Sequence, residues 1–135
     1  MKSKIIKICG KEVEMIYCCA TENGFERLTQ TTINIFIPKL GKDNDGNDII
    51  IEPATATIGD FLMLAVAGII AAYARKDQEP PLTANDIMYE VSPTERNEMI
   101  NAIIELRQEW YAVPASVEET LKKEATPESK ETPNA

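Results

Sequence analysis

The residues able to do chemistry in this chain are few. It has 135 residues, with three cysteines and no histidine. Without histidine there is no Ser-His-Asp or Cys-His nucleophile, no His-ligated zinc and no imidazole pH switch. Cys9, Cys18 and Cys19 form an odd set with two adjacent members, a poor disulfide framework and too few thiolates for a zinc site. They read as small apolar side chains, buried or half-buried in a reducing compartment.

The carboxylates offer little more. In an EF-hand frame with Gly46 at position 6, Asp43, Asp45 and Glu52 fall at ligand positions, but the first position falls on Gly41, which has no side-chain oxygen. A solvated turn is the expectation. Glu12 with Glu14, and Glu118 with Glu119, read as charged solvent faces rather than acid–base pairs. The glycines form no phosphate-binding pattern. The expectation is a protein without catalytic residues, metal or cofactor.

Charge narrows the partners. Lys and Arg total 14 against 22 Asp and Glu, a formal net charge of −8. That balance disfavours duplex nucleic acid, whose binding needs cations to displace counterions. It favours solubility and a basic or apolar partner. The most apolar run, 61–74, is shorter than the roughly 20 residues a bilayer span requires. The basic N-terminus lacks the long apolar stretch of a signal peptide. No membrane partner is expected.

The elements that would position these residues predict an α+β fold, with one or two N-terminal β-hairpins packed against three to four helices. Residues 1–118 form the single domain, and 119–135 a polar, disordered tail. Ile5–Cys9 and Glu12–Cys18 flank Gly10-Lys11, which suits a type II′ turn. That turn sets Ile8 opposite Val13, Ile6 opposite Met15, Lys7 opposite Glu14 and Ser3 opposite Cys18. One face then carries Ile6, Ile8, Val13, Met15 and Tyr17. A short helix is predicted over 21–30, with Phe25 and Leu28 facing the sheet.

Residues 32–37 alternate in a β-rich run and read as a strand. Residues 48–52 (DIIIE) read as another. Together they offer a second hairpin, or an acidic loop, within 38–53. Thr57 to Asp60, Thr83 to Asp86 and Ser92 to Glu95 are three capping boxes. They open helices over 58–75, 84–90 and 93–111, the last with Pro93 at its first position and Pro114 just beyond its end. One more helical stretch is possible over 117–124.

Candidate partner contacts lie on two of these helices. The 58–75 helix is apolar almost all round, so it is central to a core or hidden by a partner. Its main face carries Leu62, Val66, Ile69, Ile70 and Tyr73. The 93–111 helix carries a stripe of Met99, Ile100, Ile103, Ile104, Leu106 and Trp110. Trp110 either packs the core or meets a partner, and Tyr111 is the more exposed of the two. Met63, Met88 and Met99 read as core filling before adaptable surface.

The order of parts resembles a known family. A hairpin reading KIIKICGKEVEM leads to a short helix with GFERLT, a variable acidic loop, an apolar helix, LTANDI, and a last helix ending AIIELRQEWY before Pro114. This resembles the tail assembly chaperones of long-tailed bacteriophages and prophages over residues 4–118. The resemblance implies a non-enzymatic protein of the bacterial host cytoplasm that binds the tape-measure protein and helps recruit tail-tube subunits. A homo-oligomer is compatible with it. Leu62, Val66, Ile69, Tyr73, Trp110 and Tyr111 are the candidate contacts. Rival readings are a small tail-completion protein retained in the virion and an acidic inhibitor protein.

Overall fold

A computed structural model describes residues 1–112. The chain runs β1 (Ser3–Ile8), β2 (Lys11–Ile16), α1 (Cys19–Thr29), a 3₁₀ turn (Ile33–Phe36), β3 (Lys39–Lys42), β4 (Asp48–Glu52), α2 (Ile58–Ala74), α3 (Ala84–Glu90) and α4 (Pro93–Tyr111). This is an α+β fold: two separate antiparallel hairpins and four helices. No helix among the described residues is long and apolar enough to cross a membrane. The expected helix over 117–124, Pro114 and the tail at 119–135 lie outside the described residues.

The first hairpin corrects the expected register. Its turn is Cys9-Gly10, with φ of 51° and 78°, the two left-handed residues of a type I′ turn. Ile6 therefore faces Val13, Lys7 faces Glu12 and Ser3 faces Ile16. The pairing moves by an even step, so the same side chains stay on the core face. Cysteine adopts left-handed backbone at some cost. Here the cost is offset by a contact distant in sequence: the Cys9 N–H donates to Glu95 Oε2 at 2.8 Å. Glu95 also closes the Ser92 capping box at the start of α4. The hairpin turn is thus pinned to a helix end.

The core face of the hairpin lies on α2, which is the centre of the molecule. From Leu64 to Ala72 every residue of α2 except Ile70 is buried. It packs against α1 on one side and against β2 and α4 on the other. Gly68 sits at that crossing. A Cβ there would meet the Ile16 carbonyl oxygen at 2.7 Å and Ile103 Cδ1 at 2.9 Å. The small residues of α2 let three neighbours approach one helix. The stripe of α4 closes the core with Met99, Ala102, Ile103 and Leu106.

Two further expectations are corrected. The short helix begins at Cys19, because Thr21 accepts the Cys18 N–H and donates to the Ile16 carbonyl. It leans on α2 rather than on the sheet, so Phe25 is buried while Leu28 is exposed. Residues 32–37 are no strand. Thr32 caps a 3₁₀ turn, and Glu26 Oε2 accepts the Ile33 N–H at 2.8 Å. The turn puts Phe36 between Phe25 and Phe61, with ring centroids at 5.1 and 4.9 Å in edge-to-face geometry. Burial of one aromatic decides the backbone here over local β preference.

The strand that pairs with β4 is therefore β3, which starts at Lys39, seven residues later than expected. The β3–β4 hairpin joins the body through a closed neck, where Thr55 and Ala56 N–H groups both donate to the Ile35 carbonyl at 3.0 Å. Beyond that neck the strands pair with each other, and among the described residues with no third strand.

Candidate interaction surface

The six residues expected to meet a partner divide into three groups. Val66 and Ile69 are buried in the core, and this conformation does not present them. Leu62 and Tyr73 are half-buried and packed against that core. Trp110 and Tyr111 are exposed, at 42% and 54%, on the last turn of α4.

Tyr73 is already occupied within the chain. Its hydroxyl accepts the Glu14 N–H at 3.2 Å, and the Lys76 ammonium sits 5.4 Å from its ring centroid. The Glu14 carboxylate pairs with Lys76 and lies 3.7 Å from Arg75 Nη2. The hydrogen bond from Lys76 leads in holding the Glu14 carboxyl below the ordinary glutamate range. A group whose folded pKa is depressed stabilises the fold above its unfolded pKa and loses that contribution as pH falls through the folded value. The melting temperature is therefore expected to fall as pH drops below about 4.5. Glu14→Gln should flatten that acid limb in a thermal titration while changing little near neutrality beyond its fixed loss. An unchanged acid limb would remove Glu14 from this role.

Around Tyr111 the aromatic end of α4 is braced. Tyr17 donates to Glu22 Oε2 at 2.6 Å, and Tyr111 donates to the same oxygen. Burial, with Glu22 second, pushes the Tyr17 phenol up. The Arg107 guanidinium lies 5.1 Å from the Tyr111 ring and 5.9 Å from Phe36. Trp110 borders a groove of 280 Å³ shared with Met1, Tyr17 and Leu106. Its outer face is open, and the ring both covers Leu106 and meets solvent.

The cysteines are free thiols: Cys9 and Cys18 half-buried, Cys19 exposed rather than covered. Asp43, the centre of the acidic loop, holds a turn, since its Oδ1 accepts the N–H groups of Asp45 and Asn47 at 2.9 Å each. These backbone contacts hold its carboxyl below the ordinary aspartate range. Met99 is core, Met63 half-buried and Met88 exposed beside exposed Tyr89 on α3.

A further exposed apolar feature is one that helix patterning did not mark. Leu40, Ile49, Ile50 and Ile51 are 62%, 40%, 61% and 54% exposed on the β3–β4 arm. Ile37 at its base is exposed too. None of these belongs to the buried core. A two-stranded hairpin is marginal in water by itself, and an uncovered edge is a template for further pairing. The signal in the sequence was the run DIIIE isolated between Pro38 and Pro53, which marked a strand but not its lack of cover.

Comparison with protein families, with curated proteins and with solved structures finds no match to this chain.

Proposed function

We propose that this chain is a non-enzymatic tail assembly chaperone of a long-tailed phage, which holds the tape-measure protein and helps recruit tail-tube subunits in the host cytoplasm. The supports are the sequence resemblance and the arrangement of surface. The observation that carries the reading is the uncovered β3–β4 arm, with four large aliphatic side chains exposed on a chain of net charge −8. A tape-measure chain exposes apolar stripes before the tube encloses them. A holdase for it needs apolar contact area together with charge that keeps the complex soluble. Trp110 and Tyr111 supply a second, aromatic contact.

The test is co-expression with the long coiled-coil protein encoded just downstream. Solubility and co-purification of that protein are the expected result. Replacing 38–53 with a short Gly-Ser turn should shift the melting temperature of the body by less than about 2 °C, because the arm adds nothing to the core. The same variant should lose most of the co-purified partner. Retention of the chain in purified virions, with no effect on partner solubility, would favour the tail-completion reading instead.

A further inference from the structure

The β3–β4 arm has two free edges of different character. β4 is five residues, Asp48–Glu52, with three consecutive isoleucines between two acids. β3 is four residues, Lys39–Lys42, with Gly41 in its middle and a lysine at each end. A Cβ at Gly41 would run into the Ile51 side chain, so Ile51 covers that part of β3. No backbone hydrogen bond reaches residues 48–52 from outside the hairpin among the described residues. Pairing with β3 slips between Lys39 and Leu40, which leaves Ile51 as a bulge in β4. The outward N–H and C=O groups of 48–50 are the regular part of its free edge.

We propose that the outer edge of β4 is a strand-addition site for an extended β-branched segment of another protein, flanked at both ends by lysine or arginine. Charge selects this occupant. An added strand along β4 places one flank opposite Asp48 and the other near Glu52, past the bulge at Ile51, and opposite charges on neighbouring strands stabilise the pairing. Asp48 pairs with Lys42 at 2.6 Å on the exposed surface, and its carboxylate has lone pairs left for a second cation. Over 39–52 the arm carries two lysines against Asp43, Asp45, Asp48 and Glu52, so its field is acidic throughout.

The same charges reject symmetric pairing with a second copy of this chain. Two β4 strands paired antiparallel about Ile50 set Asp48 against Glu52 twice, and two β3 strands set lysines against lysines. A β3–β4 contact between copies sets lysines beside acids and is not repelled; it is head-to-tail, closing only as a ring and otherwise growing into a filament. An anionic lipid surface is repelled by the four carboxylates. The edge is therefore blunted against symmetric self-association and open to a cationic strand. This inference rests on reading the arm as the docking element, but not on the partner being a tape-measure protein.

Two synthetic peptides test it. Both share a Val-Ile-Val centre, one with lysine on each flank and one with glutamate. Each is titrated into the full chain and followed by backbone amide shifts. The lysine peptide is expected to bind about tenfold tighter, with shifts and new hydrogen-exchange protection concentrated at 48–52. The variant K39E/K42E/D48K/E52K inverts both strands and keeps their mutual pairing, so it should reverse the preference. D48N/E52Q removes the flanking charges without inverting them and should abolish discrimination. Equal affinity for the two peptides, no binding of either, or an unreversed preference in the inverted variant would each overturn the proposal. Concentration-dependent self-association through β4 would overturn it as well, by giving the edge to a second copy. The two readings fail separately. Co-purification of the tape-measure protein without binding of either peptide sinks only the strand-addition site. Selective binding of the lysine peptide without capture of that protein sinks only the chaperone.

Discussion

Replacing Gly68 with valine is expected to destabilise the fold by about 3 kcal/mol, read as a lowered urea midpoint with an unchanged slope. The first atom a Cβ meets is a backbone carbonyl oxygen, that of Ile16, at 2.7 Å, and Met15 Cγ follows at 3.0 Å. Neither can retreat without moving β2 away from α2. The change gains a few tenths of a kcal/mol in helix propensity, far too little to offset the clash. Gly68→Ala is the internal control, because its propensity gain of about 1 kcal/mol opposes a smaller overlap. Its loss should be clearly less than that of valine. If valine costs under about 1 kcal/mol, helix and strand have room to separate, and the close crossing is not what holds them.

The second large effect belongs to Ile103. It is fully buried on α4, and its Cδ1 lies over the same glycine. Ile103→Ala removes three heavy atoms from a closed core and is expected to cost about 2–5 kcal/mol in equilibrium unfolding. A cost near zero would mean that this face of α4 is open to a partner rather than packed. The two sites share a contact, so their effects should not add. Gly68→Ala placed on Ile103→Ala should cost less than on the unaltered chain, since one of the obstructing groups is gone. The Ile16 carbonyl remains, so the relief is partial.

Helix starts were the most legible feature of the sequence. The boxes at Thr57, Thr83 and Ser92 each bond reciprocally to the acid three residues on, and α2, α3 and α4 begin where those residues predict. Capping is local chemistry, decided within one turn of chain. The core face of the first hairpin was legible for a related reason, since alternation survives an error in register of an even number of residues.

The register itself was not legible. Glycine at position 10 suits either turn, and a carboxylate 86 residues away decides between them by accepting the Cys9 N–H. Residues 32–37 failed in the same way. Their β-branched pattern is local, but the place between Phe25 and Phe61 that draws in Phe36 is assembled by two other elements. For the candidate site, the patterning of α2 and α4 could nominate apolar faces without separating covered from open. Val66 and Ile69 share a stripe with Leu62 and Tyr73, yet they are buried in the core while the others stay at its margin.

What the sequence determined alone is the set of elements fixed by neighbours in the chain: the starts of α2, α3 and α4, the α+β composition, the acidic charge and the inward face of the first hairpin. Only the tertiary structure decided which apolar residues face water. Burial is a property of the space between elements, and the same run of isoleucines reads alike under a helix and on a free arm. That difference makes β4 an edge that charge at its two ends can assign to a cationic strand.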